Sequence, residues 1–276
     1  MLNIKLGLEL ITSKSNQTIV KISKLNEKKY RSSEKLFLCD GIKLFKEAIT
    51  YSAPIKYVVV KNNANLGDET IKMLTECLKN EMKILCVTED VFEKITTEQA
   101  PQGIITVCEF VNSKHSYLGD EDVDYRNERI MFIESVRDPG NLGTIIRNSV
   151  AFGYDRLILS ADCVDIYSQK VIRATMGAIF KQKIDIVSNL EKAVFNLKTS
   201  GKRVVTSSLG KKSLVLGKEN LSNKEVIVIG NEGHGASERI LSISDDTIFI
   251  PMEQNTESLN ASVAATIFMW EQYKNK

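Results

Sequence analysis

The chain has 276 residues, 43% of them hydrophobic, and a formal net charge of +2, so it has room for two modest domains with ordinary buried cores. No stretch reaches the roughly 18–20 apolar residues of a membrane span, and MLNIKLGLELITSKSN lacks both the apolar core and the cleavage site of a signal peptide, which makes a cytoplasmic location the expectation. Five scattered cysteines without a CxxC pair, and only two histidines, exclude a disulfide framework and leave no clustered metal site, so no metal is expected.

In chain order the first feature is charge. Lys14, Lys21, Lys24, Lys28, Lys29 and Arg31 crowd the first stretch with few acids among them. Such a stripe is either a solvated helix face or a surface that neutralises phosphates. Strand signals follow at Lys35–Cys39, Ile55–Val60, Met82–Val87 and Gly103–Val111, with helical stretches between them at Ile42–Tyr51, Asp68–Asn80 and Asp90–Thr97. Thr70, Met73, Leu74, Cys77 and Leu78 recur at three- and four-residue steps, as on a helix packed along one face. This alternation predicts an α/β layer fold.

The polar, acidic run NSKHSYLGDEDVDYRNE breaks the pattern, so residues 1–111 read as one domain, 112–128 as a linker and 129–276 as a second domain. In the second, Arg129–Glu134, Arg156–Ser160, Lys183–Val187, Arg203–Ser207, Glu225–Gly230 and Thr247–Pro251 are near-continuous apolar runs, which suits a parallel sheet covered on both faces. The chain ends on a helix, Asn260–Tyr273. Val263, Ile267 and Trp270 form one apolar face of it, and Phe268 and Met269 widen that face beyond what packing on one sheet requires.

Ligands bind parallel α/β sheets outside the carboxyl ends of the strands, and three loops there carry unusual residues. VRDPGNLGTIIRNSVAFG places Asn141 and Gly143 at a helix start and Arg147 four residues later. A cation so near a helix N-terminus opposes the dipole; it marks an anionic partner or is simply solvated. GNEGHGASE follows the most hydrophobic strand, and its glycines permit close approach of backbone to a ligand. Glu232 there either holds a ligand hydroxyl, orients Arg147 or caps local N–H groups. In PMEQNTESLNASVAA, Ser258 and Asn260 precede the last helix, and either one is able to cap it. No GxGxxG follows a first strand, which argues against an ordinary dinucleotide-binding enzyme.

Together these loops resemble the three signature motifs of the SpoU (TrmH-type) RNA methyltransferases of the SPOUT class. The carriers are Glu134, Asp138, Pro139, Asn141, Gly143 and Arg147; then Asn231, Glu232 and Gly233; then Pro251, Ser258, Leu259 and Asn260. The stretch IRATMGAIFK (Ile172–Lys181) also resembles the family, and Gln254 departs from it by standing where a glycine is usual. ITSKSN, KKYR, FLCDGIKLFKEAI and the PQGI at Pro101–Ile104 resemble the family's smaller N-terminal ribosomal-protein-like α/β/α domain, which binds substrate.

The resemblance implies a parallel-sheet α/β domain with a C-terminal trefoil knot, which holds S-adenosylmethionine, and a homodimer that completes the site. It implies 2′-O-ribose methylation of RNA, large-subunit ribosomal RNA ahead of transfer RNA. Gly230, Ile250 and Leu259 are the implied cofactor residues, and Asn141, Arg147, Glu232, Ser258 and Asn260 the catalytic or RNA-facing ones. A guanidinium keeps its charge in proteins, so Arg147 is easier to read as an electrostatic stabiliser of the attacking oxygen than as the base of the family proposal. The proton then leaves to water or to Glu232. A non-catalytic RNA-binding module is the competing reading. The final helix is expected at the dimer interface, with Met269 facing the partner.

Overall fold

The computed structural model describes residues 1–111, 125–210, 212–253 and 258–275; Gln254 and residues 112–124 of the expected linker lie outside them. Two compact units emerge, Met1–Ser113 with Asp165–Phe180, and Lys114–Val164 with Lys181–Lys276. In chain order the first elements are α1 (Leu2–Leu6), β1 (Leu10–Ile11), α2 (Gln17–Lys24), α3 (Lys28–Glu34), β2 (Leu36–Asp40), α4 (Ile42–Thr50), β3 (Ile55–Lys61), α5 (Gly67–Lys79), β4 (Ile84–Val87), α6 (Glu89–Glu93) and β5 (Ile104–Glu109). Then come β6 (Ile130–Ile133), α7 (Pro139–Ala151), β7 (Arg156–Ser160), α8 (Gln169–Thr175), β8 (Lys183–Val187), α9 (Leu190–Thr199), β9 (Arg203–Ser207), β10 (Leu214–Val215), β11 (Glu225–Ile229), α10 (Glu238–Ile243), β12 (Asp246–Phe249) and α11 (Ala261–Lys274).

The first unit is built on a five-stranded sheet of order β1-β4-β3-β5-β2. β1, β4 and β3 run parallel, while β5 is antiparallel to both β3 and β2. The four longer strands are the apolar runs of the sequence; β1 is too short to show periodicity. Asn16 starts α2 by accepting from the Thr18 and Ile19 N–H groups, and the helix buries Ile19 and Ile22 while Lys21 and Lys24 stay in solvent. Arg31 leaves the expected basic stripe. It is 5% exposed, paired to Asp165 at 2.6 Å, and it donates to the Leu25 and Asn26 carbonyls.

Asp165 belongs to this unit although it lies beyond the expected domain boundary. Ile166, Tyr167, Val171, Ile172 and Ile179 of the same segment are buried, and Tyr167 stacks on Phe110 at 3.8 Å between ring centroids. This segment lies beyond the expected division at 129, and its helix is too short to announce its packing partner in the sequence. The linker is also shorter than expected. Tyr125 is buried in the core of the second unit, and Glu128 is paired with Arg156 at 2.6 Å. A fragment starting near Asn127 would therefore lose a core residue.

The second unit carries a seven-stranded sheet of order β10-β12-β9-β11-β6-β7-β8, in which every neighbouring pair is parallel. All carboxyl ends therefore lie along one edge. The chain moves outward from β6 through β7 to β8, then returns to the other side to build β9 and later β11 next to β6. That reversal falls between β6 and β11, and a ligand site is expected near such a switch point.

Candidate active site

The GNEGHGA turn is fixed by its own backbone. Asn231 and Gly235 exchange N–H to carbonyl bonds of 2.9 Å in both directions, and Gly235 sits at φ +69°. The turn thereby folds over Gly230. A Cβ on Gly230 would stand 2.2 Å from the Ala236 nitrogen and 2.3 Å from the Gly235 carbonyl carbon, so glycine is required by close approach. At the far end, buried Glu134 of the β6 exit accepts from the Ser237 N–H at 2.9 Å and from its hydroxyl.

Glu232 points from this turn to the start of α7. It accepts from the Asn141 side-chain amide at 3.1 Å and from the Asp138 N–H at 3.3 Å. The Arg137 N–H and the Asn231 amide approach its other oxygen at 3.5 and 3.4 Å. The Asn141 side-chain Oδ1 in turn accepts from the Asn260 side-chain amide at 2.8 Å. Asn260 Oδ1 caps α11 through the Ser262 and Val263 N–H groups, so this residue is both a cap and a member of the network. Asn141, Glu232 and Asn260, drawn from three motifs, thus form one hydrogen-bonded chain.

Two details of the β6–α7 loop hold it in place. Asp138 caps α7 by accepting from the Asn141 N–H at 2.8 Å, with Pro139 at the first helical position. Ser135, directly after β6, has φ +55°, a left-handed conformation that costs a residue with a Cβ about 1–2 kcal/mol.

Beside the network lies a cavity of about 520 Å³, lined from the ends of β9, β11 and β12 and the start of α11. Gly230, Ile250 and Leu259 all line it, as do Glu232 and Ser258. Asn141, Asn260 and Arg147 do not. Arg147 is exposed on α7 and has no hydrogen-bond or ion-pair partner among the described residues, so Glu232 does not orient it here. Sequence reasoning missed Ser207, Ser208 and Leu209, which line the cavity after β9. The carboxyl-end rule applied to that strand would have found them. Among the described residues no group of three or more His, Cys, Asp or Glu is placed to hold a metal ion.

Burial works against ionisation of Glu232, but hydrogen bonds from Asn141 and from backbone N–H groups together hold its carboxyl below the usual value. A lowered folded-state value means that the carboxylate stabilises the fold above its unfolded value of about 4.3, and that this contribution is lost as pH falls through the lowered value. Between about pH 5 and 3, wild type should therefore lose more thermal stability than Glu232→Gln. Melting curves that shift in parallel for both proteins would remove the carboxylate from the stabilising network.

Residues 128–270 match the SpoU rRNA methylase family, and residues 16–106 match the MRM3-like substrate binding domain. The 23S rRNA (guanosine(2553)-2′-O)-methyltransferase RlmP of Bacillus subtilis is 28% identical, over 94% of this chain and 97% of that protein. An rRNA methyltransferase from Sinorhizobium meliloti superposes with a TM-score of 0.81 at 28% identity, covering 95% of this chain and 96% of that one. Its AdoMet-bound structure superposes at 0.80 with 27% identity and the same coverage. These likenesses give the α/β SPOUT fold. Matched over more than half its length, the chain belongs to the SpoU rRNA methylase family and is an S-adenosylmethionine-dependent RNA methyltransferase.

Proposed function

We propose that this protein methylates a ribose 2′-hydroxyl of large-subunit ribosomal RNA beside the hydrogen-bonded loops after β6 and β11. The observation that carries the reading is the Asn260–Asn141–Glu232 chain, standing where the parallel sheet reverses and beside a cavity of ligand size. The cavity suits S-adenosylmethionine: Ile229, Leu241, Ile250 and Leu259 offer apolar walls to an adenine ring, and Gly230, Ile250 and Leu259 are the residues we assign to it. Bound there, the cofactor supplies an electrophilic methyl on a sulfonium, whose thioether leaves neutral and needs no acid.

The protein's task is then the nucleophile. Arg147 carries a permanent charge, has no partner among the described residues, and stabilises the ribose oxygen as its proton departs, or the phosphate beside it. Ser258 lines the cavity and, with Asn141 and Asn260, fixes the ribose against the reacting carbon. Glu232 positions rather than accepts. A carboxyl held below its usual range is a poor proton acceptor, so the proton passes to water.

The first unit is assigned to RNA binding. The substrate-binding match and the exposed Lys14, Lys21, Lys24, Lys28 and Lys29 support this. The second unit is assigned to methyl transfer, with its C-terminal segment knotted. Insertion of β12 between β10 and β9 supports the knot, an exception to unthreaded connections. Among the described residues no helix is long and apolar enough to cross a membrane; the cytoplasm is the location we assign.

The active form is assigned as a homodimer that buries the outer face of α11. Met269, expected to face a partner, is fully buried within its own chain, because α11 turns it toward α7 and the sheet. The exposed apolar residues are instead Val263 at 46% and Trp270 at 52%, with Tyr273 and Phe152 extending an aromatic cluster around Trp270. A central interfacial tryptophan is typically worth about 2 kcal/mol or more. Trp270→Glu should therefore halve the mass seen by light scattering and lower activity at dilute concentration while the fold persists. A fully active wild-type monomer at assay concentration would end the dimer assignment.

The function itself is tested by mapping 2′-O-methyl sites in total RNA with and without the gene. One lost site in large-subunit ribosomal RNA is expected. A loss confined to transfer RNA would overturn the substrate, and no loss at all would overturn the reaction.

A further inference from the structure

Ser135 ties three loops of the second unit together. Its carbonyl accepts from the Asn231 amide of the GNEG turn at 2.8 Å. Its N–H donates to the Ser160 hydroxyl at the end of β7, also at 2.8 Å. Its own hydroxyl donates to Asp162 in the loop after β7. Asp162 is committed on both oxygens. Oδ1 accepts from the Ser160 hydroxyl at 2.6 Å, and Oδ2 accepts from Ser135 and, at 3.3 Å, from the Arg137 guanidinium. That guanidinium is otherwise 70% exposed, so the salt bridge alone is weak. The Ser135 hydroxyl is the stronger tie, and it is made by a residue in the left-handed region where a side chain is disfavoured. A strained backbone persists when its surroundings over-determine it, and such positions cluster at functional sites.

We propose that Asp162 is a positioning residue for methyl transfer: by locking Ser135 in its left-handed conformation it presents the Arg137 and Asp138 N–H groups to Glu232 and sets Asn141 against Asn260. Asp162 touches neither the cavity nor the hydrogen-bonded chain. Its action passes through two residues of backbone, from Ser135 to the N–H of Arg137. The inference rests on the reading of that chain as the reacting centre.

Three measurements test it on the full-length protein. Asp162→Ala is expected to lower kcat about tenfold or more, because small misplacements of reacting groups are costly, while the affinity for S-adenosylmethionine stays within about twofold. Ser135→Ala should lower kcat similarly, and the double variant should be no worse than either single one, since both break one lock. Amide hydrogen exchange should rise at Arg137, Asp138 and Asn141 in Asp162→Ala but not in β6. Asp162→Asn keeps a side chain of the same shape able to accept from Ser135; it should recover much of the rate, and it serves if the alanine variant does not fold. Unchanged exchange at Arg137 and Asp138 overturns the lock whatever the activity. So do additive losses in the double variant, or a parallel fall of kcat and cofactor affinity. A wild-type protein that transfers no methyl to ribosomal RNA instead overturns the function proposed above, while the exchange result still decides the lock.

Discussion

Arg147→Ala should reduce methyl transfer by about 10³-fold, the scale of losing one charged stabiliser of a developing oxyanion, and leave cofactor affinity within a few-fold. The cavity is lined from the ends of β9, β11 and β12 and the start of α11, whereas Arg147 lies on the exposed face of α7. Among the described residues its side chain has no partner, so its removal leaves no described buried group unpaired and the melting temperature should hold. Arg147→Lys keeps the charge but loses the planar fork, and should recover only part of the rate. Calorimetry with S-adenosylmethionine beside single-turnover methylation separates the two effects. A folded Arg147→Ala protein that no longer binds cofactor would mean that the residue is wrongly assigned to RNA.

Gly230→Ala should do the reverse, cutting cofactor affinity about 100-fold and destabilising the fold by about 1–3 kcal/mol, the usual cost of overpacking. The added carbon would meet the Ala236 nitrogen, the Gly235 carbonyl carbon and the Gly235 oxygen at 2.2–2.5 Å. All three are backbone atoms, so the turn has to open rather than a side chain step aside. Gly233→Ala is the control. There a Cβ meets only the Asn231 side-chain oxygen at 3.5 Å, an ordinary contact, and near-normal binding is expected. Wild-type affinity in Gly230→Ala would detach the cavity from the cofactor.

The parallel sheet was legible because β6, β7 and β11 are buried on both faces and so are continuously apolar. The site was legible in part, because the carboxyl-end rule points to loops and the motif residues stand in them. Three things were not legible. The inserted segment, residues 165–180, has its packing decided by contacts more than fifty positions away in sequence, such as Arg31 with Asp165. Met269 and Trp270 are adjacent, and α11 is apolar around most of its circumference, so periodicity had no preferred face to report. Ser135 is a serine in a glycine-like conformation, and nothing in its neighbours' composition marks it.

The inserted segment also has a consequence for the order in which the protein is made. Synthesis runs from the N-terminus, and domains generally fold as units during it. The five strands of the first sheet are all present once Glu109 has been added. Yet Phe37 and Phe110, which pack against Tyr167, and Arg31, which pairs with Asp165, still await their partners. Those partners come only after β6, α7 and β7 have been translated. The two apolar clusters built from Leu2 to Val107 can therefore pack on the nascent chain early, but this flank of the first unit is finished only after β6 and β7 have been made, so the maturation of the two units overlaps in time.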